Sequence, residues 1–249
     1  MPGTVTGATM DYTDMIRDAW TYSRQGVFEN SGRWLRLILT IILLAIPMNG
    51  YIMRIYRGEG SAPEVNRWGR LFIDGLKLLI MAFIYSIPIW ICWLVTYGAM
   101  MAAIVSGHAD SAAMAGLEPN LGLMILIYIV EFAVALVLPV ASIRFARSGR
   151  FSEAFQFAAI ADQIGRIGWI NYIIAIFLVA ILVAVPVMAL VFVFVVLGIF
   201  LAAITNFSFA ALIALIAIGV LIFLIVLPLL MVFQARYWTR LYDSAPPSS

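Results

Sequence analysis

From Ile167 to Gln234 the sequence carries no Asp, Glu, Lys or Arg. A helix that is apolar on every side has to be covered on every side, which a water-soluble surface cannot do. A bilayer core of ~30 Å is crossed by ~20 helical residues, so this one stretch can cross more than once. Composition points the same way. The 249 residues are 64% hydrophobic and 11% charged, whereas a soluble domain carries roughly a quarter charged residues. That balance excludes an ordinary soluble enzyme, a disordered chain and a nucleic-acid binder. The chain is expected to be an integral membrane protein of the all-α class.

Five long apolar runs can be marked. The first, Trp34–Met53, is interrupted by Pro47-Met48-Asn49-Gly50. Leu78–Val105 and Leu121–Ile143 follow, the latter holding a single charge, Glu131. The long uncharged stretch divides at Thr205-Asn206-Phe207-Ser208 into Ile167–Ile204 and Phe209–Phe233, with Pro186 as a natural kink in the former.

The basic residues then set the topology. All 15 lie before or at the opening of the first run, between the first and second, between the third and fourth, or after the fifth. Under the positive-inside rule every one of these segments is cytoplasmic. The first run then has both flanks on one side, so it is expected to turn back at Pro47–Gly50 as a re-entrant or interfacial hairpin shielded by the other helices. Four runs cross, and both termini lie in the cytoplasm of a plasma-membrane protein. The expected organisation is a cytoplasmic amphipathic segment at 1–33, a membrane domain at 34–243 and a disordered tail at 244–249.

Two stretches echo each other at an offset of 135. Asp18-Ala19-Trp20-Thr21-Tyr22 matches Glu153-Ala154-Phe155-Gln156-Phe157, and Trp34 and Trp169 follow at the same distance. Both are expected to be amphipathic interfacial helices, one with the stripe Tyr12, Met15, Ile16, Ala19, Trp20 and Ser23, the other with Phe151, Ala154, Phe155 and Ala158.

Few residues offer chemistry. Cys92 is the only cysteine and His108 the only histidine, so neither a disulfide nor a structural zinc site is expected. No cofactor is expected either. Glu131 is the one ionisable group inside a span, and an intramembrane carboxylate is costly unless it is paired, hydrated or protonated. Its expected structural partner is Asn49 at the hairpin, whose tip residues Pro47 and Gly50 supply the turn. Arg54, Arg57, Arg144, Arg147 and Arg150, with Arg67 and Arg70 beside them, form a cytoplasmic collar. Guanidinium groups pair bidentately with phosphate, so anionic lipid headgroups are the expected partners, with a membrane-protein partner or a second copy also open. Setting topology is an equally good reason for these arginines.

The string Gly50-Tyr51-x-x-Arg54-x-x-Arg57, then Pro63, Trp68-Gly69-x-Leu71-Phe72 and Asp74-Gly75-Leu76-Lys77, resembles an uncharacterised multi-pass membrane family of archaea and bacteria. Arg144-Phe145-Ala146-x-x-Gly149 and Glu153-Ala154-Phe155 resemble it too, and more distantly the membrane domain of glycerophosphodiester phosphodiesterases. The resemblance runs from about Trp34 to Tyr242 and implies a membrane bundle without an assigned activity. The function expected from the sequence is that of a non-enzymatic scaffold, accessory subunit or lipid-organising protein. The alternative is a small ion or solute transporter or channel with Glu131 as its coupling group. An enzyme acting on lipid is a weaker third.

Overall fold

A computed structural model of the chain describes residues 11–29, 31–43, 45–58, 60–107, 120–205 and 208–246. His108 and the end of the tail, 247–249, lie outside the described residues, as do Asn206 and Phe207 of the polar tetrad. All the regular structure described is helical: α1 Tyr12–Val27, α2 Ser31–Ile42, α3 Ile46–Tyr56, α4 Trp68–Val105, α5 Leu121–Ser148, a 3₁₀ turn Phe151–Phe155, α6 Phe157–Ile167, α7 Trp169–Ile204 and α8 Phe209–Asp243.

Helices α4, α5, α7 and α8 are long and apolar enough to cross a membrane. They alternate in direction, so that the arginine-bearing termini gather at one end, here the basic end. Each carries one internal proline: Pro88, Pro139, Pro186 and Pro228. None of these prolines ends its helix. α7 runs unbroken for 36 residues, ~54 Å at the usual helical rise.

The first apolar run forms two short helices of 12 and 11 residues, neither long enough to cross a bilayer core alone. The break between them falls earlier than the sequence led us to expect. It lies between Ile42 and Ile46, where Ala45 adopts the left-handed conformation at φ 57°. Pro47 and Gly50, expected at the tip, are both inside α3. Pro47 occupies its first turn, where a fixed φ suits the helix and a missing N–H costs nothing.

α3 is the buried centre of the molecule; every residue from Met48 to Tyr56 except Asn49 is buried. Around it lie the first half of α4 (Leu71, Asp74, Gly75, Leu78, Met81, Tyr85), the end of α5 (Val140–Ile143, Phe145, Ala146), the start of α7 (Tyr172, Ala175, Val179) and the end of α8 (Pro228–Leu241). Toward the opposite end the same helices stay apolar yet exposed, for example Leu94 at 72% and Phe192 at 69%. Continuous apolar exposure on this scale is what a lipid-facing surface looks like. The protein core sits at the basic end, and the bilayer covers the rest.

The two stretches that echo each other in sequence fold differently. α1 is one helix that buries Met15, Ala19, Tyr22, Ser23, Gly26 and Val27, while Trp20 stays 49% exposed and off the buried stripe. The second copy is split into the 3₁₀ turn and α6, because Gln156 leaves helical geometry at φ −81°, ψ 76°.

Candidate functional site

Two places at the basic end combine open space with polar groups. The first is a cleft of about 260 Å³ lined by Arg54, Arg57, Pro63, Glu64, Asn66, Arg67 and Arg70. The connection from α3 to α4 builds it. Arg54 is buried and donates to the carbonyls of Glu64 at 2.7 Å and Asn66 at 2.8 Å, pinning the loop that carries both. Arg57 pairs with Asp74 at 2.7 Å and donates to the carbonyl of Ala146 at 3.3 Å. Glu64 is drawn away to Arg33 at 2.5 Å.

Arg67 and Arg70 make no ion pair among the described residues. Arg67 precedes α4 in the left-handed conformation, at φ 54°. No side chain caps the start of α4, and its first turn holds no acid. The leading N–H groups of a helix have no intrahelical acceptor and carry its positive dipole end. Helix start and arginines together favour an anion at this spot.

The remaining collar arginines are committed within the protein. Arg144 pairs with Glu153 at 2.7 Å, and Arg150 closes on the same carboxylate. Arg147 reaches Asp243 at 2.7 Å, donates to the carbonyl of Tyr56 at 3.1 Å and stacks over Tyr242 at 4.7 Å. Thus each of the five arginines first singled out for headgroups has a partner within the protein. Arg67 and Arg70, two residues of the same collar, carry the open charge.

Here the sequence echo acquires a physical content. Glu153 takes two guanidinium groups, and so does its counterpart Asp18, which accepts from Arg236 at 2.8 Å and from Arg240 at 2.7 Å. The alanine after each acid, Ala19 or Ala154, is fully buried. Each carboxylate clamps two arginines at the end of a long helix: Arg236 and Arg240 of α8 in one case, Arg144 of α5 and Arg150 just beyond it in the other. Hydrogen bonds from Arg240, aided by Arg236, hold the Asp18 carboxyl down to about 2 against the opposing effect of burial.

The second place is a cavity of about 410 Å³ inside the bundle. Five helices line it. Asn49 and Tyr56 come from α3, Ser142 from α5, and Gln234 and Trp238 from α8, while α4 and α7 supply apolar wall. Among the described residues no charged one lines it. Asn49 donates from Nδ2 to its own helix at Ala45, 3.0 Å away, and Ser142 donates to Leu138 at 2.7 Å. The Tyr56 hydroxyl, the Trp238 indole N–H and the Gln234 amide make no hydrogen bond to another described residue. Gln234 went unnoticed in the sequence because it closes the uncharged stretch and looked like a boundary; the spacing Gln234–Trp238, one helical turn, was the available signal.

Glu131 lies apart from Asn49. The expected pairing is not formed. Instead the Trp93 indole donates to Glu131 Oε1 at 3.4 Å, linking α4 to α5. The reason is depth: Asn49 lines the same cavity as Ala135, Leu138 and Ser142, and Glu131 is a full turn farther along α5 toward the opposite end. Among the described residues no group of His, Cys, Asp and Glu could hold a metal ion.

Residues 35–195 match the family model described as Protein of unknown function (DUF4013). That span is well over half of the chain. The chain belongs to this family. No curated protein and no solved structure matches it. The DUF4013 span takes in the cleft, the packing of α3 on α4, and Glu153 with its arginines. It ends within α7, so α8 with Gln234 and Trp238, and α1 with Asp18, lie beyond it.

Proposed function

We propose that this DUF4013 protein is a non-enzymatic, lipid-organising component of the plasma membrane that seats anionic headgroups at its basic end. The observation that carries this is the cleft at the start of α4, where Arg67 and Arg70 have no acid partner among the described residues and no side chain caps the helix. Guanidinium groups at the membrane surface attract anionic lipid by about 1 kcal/mol each, and the first N–H groups of a helix add directional donors for a phosphate. The basic end faces the cytoplasm by the positive-inside rule, with both termini there and the α2–α3 pair returning to its own side. Lipid held in this way would make the protein a scaffold or accessory subunit rather than a catalyst.

The test is native mass spectrometry of the protein released from mixed micelles of phosphatidylglycerol and phosphatidylcholine. Wild type should retain phosphatidylglycerol preferentially, and Arg67→Gln/Arg70→Gln should lose the preference. Equal retention by the two proteins would refute the proposal.

One observation favours transport as a second reading. Glu131, Ala135, Leu138 and Ser142 share one face of α5, so the intramembrane carboxylate stands in line with the interior cavity. A pH-dependent flux in proteoliposomes that disappears in Glu131→Gln would promote it.

A further inference from the structure

We infer that the interior cavity is a binding site for a neutral, hydroxyl-bearing lipid of the monoacylglycerol class, admitted sideways from the bilayer between α5 and α7. This goes beyond the headgroup cleft and does not depend on it.

The chemistry of the lining selects the head. The walls are mostly apolar, and the polar groups are all neutral: donors on Tyr56 and Trp238, acceptors on Asn49 and Ser142, and both on Gln234. A carboxylate or phosphate would enter without a cation to compensate its lost hydration, which is expensive in such surroundings. A glycerol or alcohol head can both donate and accept, and so can satisfy Gln234, Tyr56 and Trp238 together. The size, about 410 Å³, falls within the range of small-molecule sites but is too small for a two-chain phospholipid.

Depth selects the same class. Along α5 the cavity runs from Ser142 to Ala135, two to nine residues before Arg144, hence ~3 to ~14 Å below the arginine level. That interval covers the ester and hydroxyl zone of a leaflet and the upper part of its chains.

A doorway is also visible. Ala135 on α5 and Ala180 on α7 line the cavity and are both exposed. α5 and α7 are joined by two contacts: the Tyr172 hydroxyl donates to the Leu136 carbonyl at 2.7 Å, and Phe132 and Phe177 lie 6.5 Å apart. Ala180 lies beyond both contacts along α7, so the two exposed alanines leave the cavity wall low on this side.

The experiment uses the full chain in phosphatidylcholine nanodiscs and a monoacylglycerol bearing a diazirine in its acyl chain. A fatty acid of the same chain with the same diazirine is the charged comparison. The expected result is labelling concentrated on residues 135–142 and 176–180, displaced by unlabelled monoacylglycerol, and weaker with the fatty acid. Gln234→Leu removes head contacts and should cut labelling about five-fold, the loss of roughly one hydrogen bond. Ala135→Trp should block the doorway, and Ala180→Trp, on the opposite lip, is the substitute if the first variant melts at a lower temperature than wild type. Labelling spread evenly over the lipid-facing helices without displacement would overturn the inference. So would equal labelling by the fatty acid, or a cavity that takes up water and no label. Loss of anionic lipid in Arg67→Gln/Arg70→Gln would leave this result unchanged, so the two sites fail or stand separately.

Discussion

A β-carbon placed on Gly75 would stand 2.9 Å from the backbone nitrogen of Gly50 and 1.8 Å from the carbonyl oxygen of Ile46. The reciprocal contact is as close: a β-carbon on Gly50 would lie 1.9 Å from the carbonyl oxygen of Leu71. Helices α3 and α4 therefore cross backbone to backbone, with no room for any side chain. Small residues that let helices approach in this way are the usual device of membrane packing. In the string that carries the family resemblance, Gly50-Tyr51 and Asp74-Gly75 are the two halves of this crossing, and Arg57 locks it through Asp74.

The first prediction follows directly. Gly75→Ala and Gly50→Ala should each destabilise the protein by at least the ~1–3 kcal/mol typical of overpacking, because the obstacle is backbone that cannot rotate away. Gly69→Ala, on the same helix α4 with nothing within 4 Å, is the control and should be neutral or slightly stabilising. Thermal melting in detergent compares the three. Equal melting temperatures for all of them would show that the crossing is looser than this.

The second concerns pH. Asp18 titrates near 2, below its ordinary 3.8, through its hydrogen bonds to Arg240 and Arg236. A carboxyl whose folded pKa is depressed stabilises fully above the unfolded value and loses that contribution as pH falls through the folded one. Docking of α1 on α8 should thus weaken as pH drops from about 3.8 to about 2. Hydrogen exchange along α1 reads it. In Asp18→Asn the exchange should be faster at neutral pH and should not change over that interval; a variant that retains the wild-type pH response would assign the effect to another group.

How much of this was visible in the sequence differs from element to element. The four crossing helices were legible because uncharged length alone marks a span. The start of α4 was not: it begins at Trp68, ten residues before the apolar run at Leu78, since Arg70, Asp74 and Lys77 continue the helix and hydropathy registers only the uncharged part. The break before α3 was misplaced because Pro and Gly were taken as turn formers, when one opens the helix and the other thins its packing face. Burial was illegible for a physical reason. In a helix that is apolar all round, the side facing lipid and the side facing protein have the same composition, so nothing in Trp169–Ile204 announces that only Tyr172, Ala175 and Val179 are buried. The collar was legible as charge but not as pairing, and the cavity was not legible at all, because its polar groups come from helices far apart in sequence.

The third prediction addresses Glu131. Its contact with Trp93 is long at 3.4 Å and half-exposed, so it is a modest tie between α4 and α5. Glu131→Gln keeps an acceptor and should melt with wild type. Glu131→Ala and Trp93→Phe should each cost about 0.5–1.5 kcal/mol, and the double variant no more than either alone. Fully additive losses would dissolve the pairing.

The fourth is topological. A cysteine at Ser61, in the loop of the basic end, and one at Gly107, at the far end of α4, should be labelled from opposite sides of the membrane in the Cys92→Ser background. Membrane-impermeant maleimide added to intact cells should reach Gly107→Cys and spare Ser61→Cys. Labelling of Ser61→Cys from outside would invert the bundle and remove the cytoplasmic reading of its arginines.

The most direct test of the account is the salt dependence of anionic lipid binding at Arg67 and Arg70. Protein in phosphatidylcholine nanodiscs is titrated with phosphatidylglycerol at increasing ionic strength, for wild type, Arg67→Gln/Arg70→Gln and Arg144→Gln/Arg150→Gln. Two surface arginines at about 1 kcal/mol each correspond to a ~30-fold loss of affinity at low salt. The account predicts that loss, with a flattened salt response, for the Arg67/Arg70 pair alone, because Arg144 and Arg150 are already held by Glu153. Unchanged binding and unchanged salt response in Arg67→Gln/Arg70→Gln would contradict it.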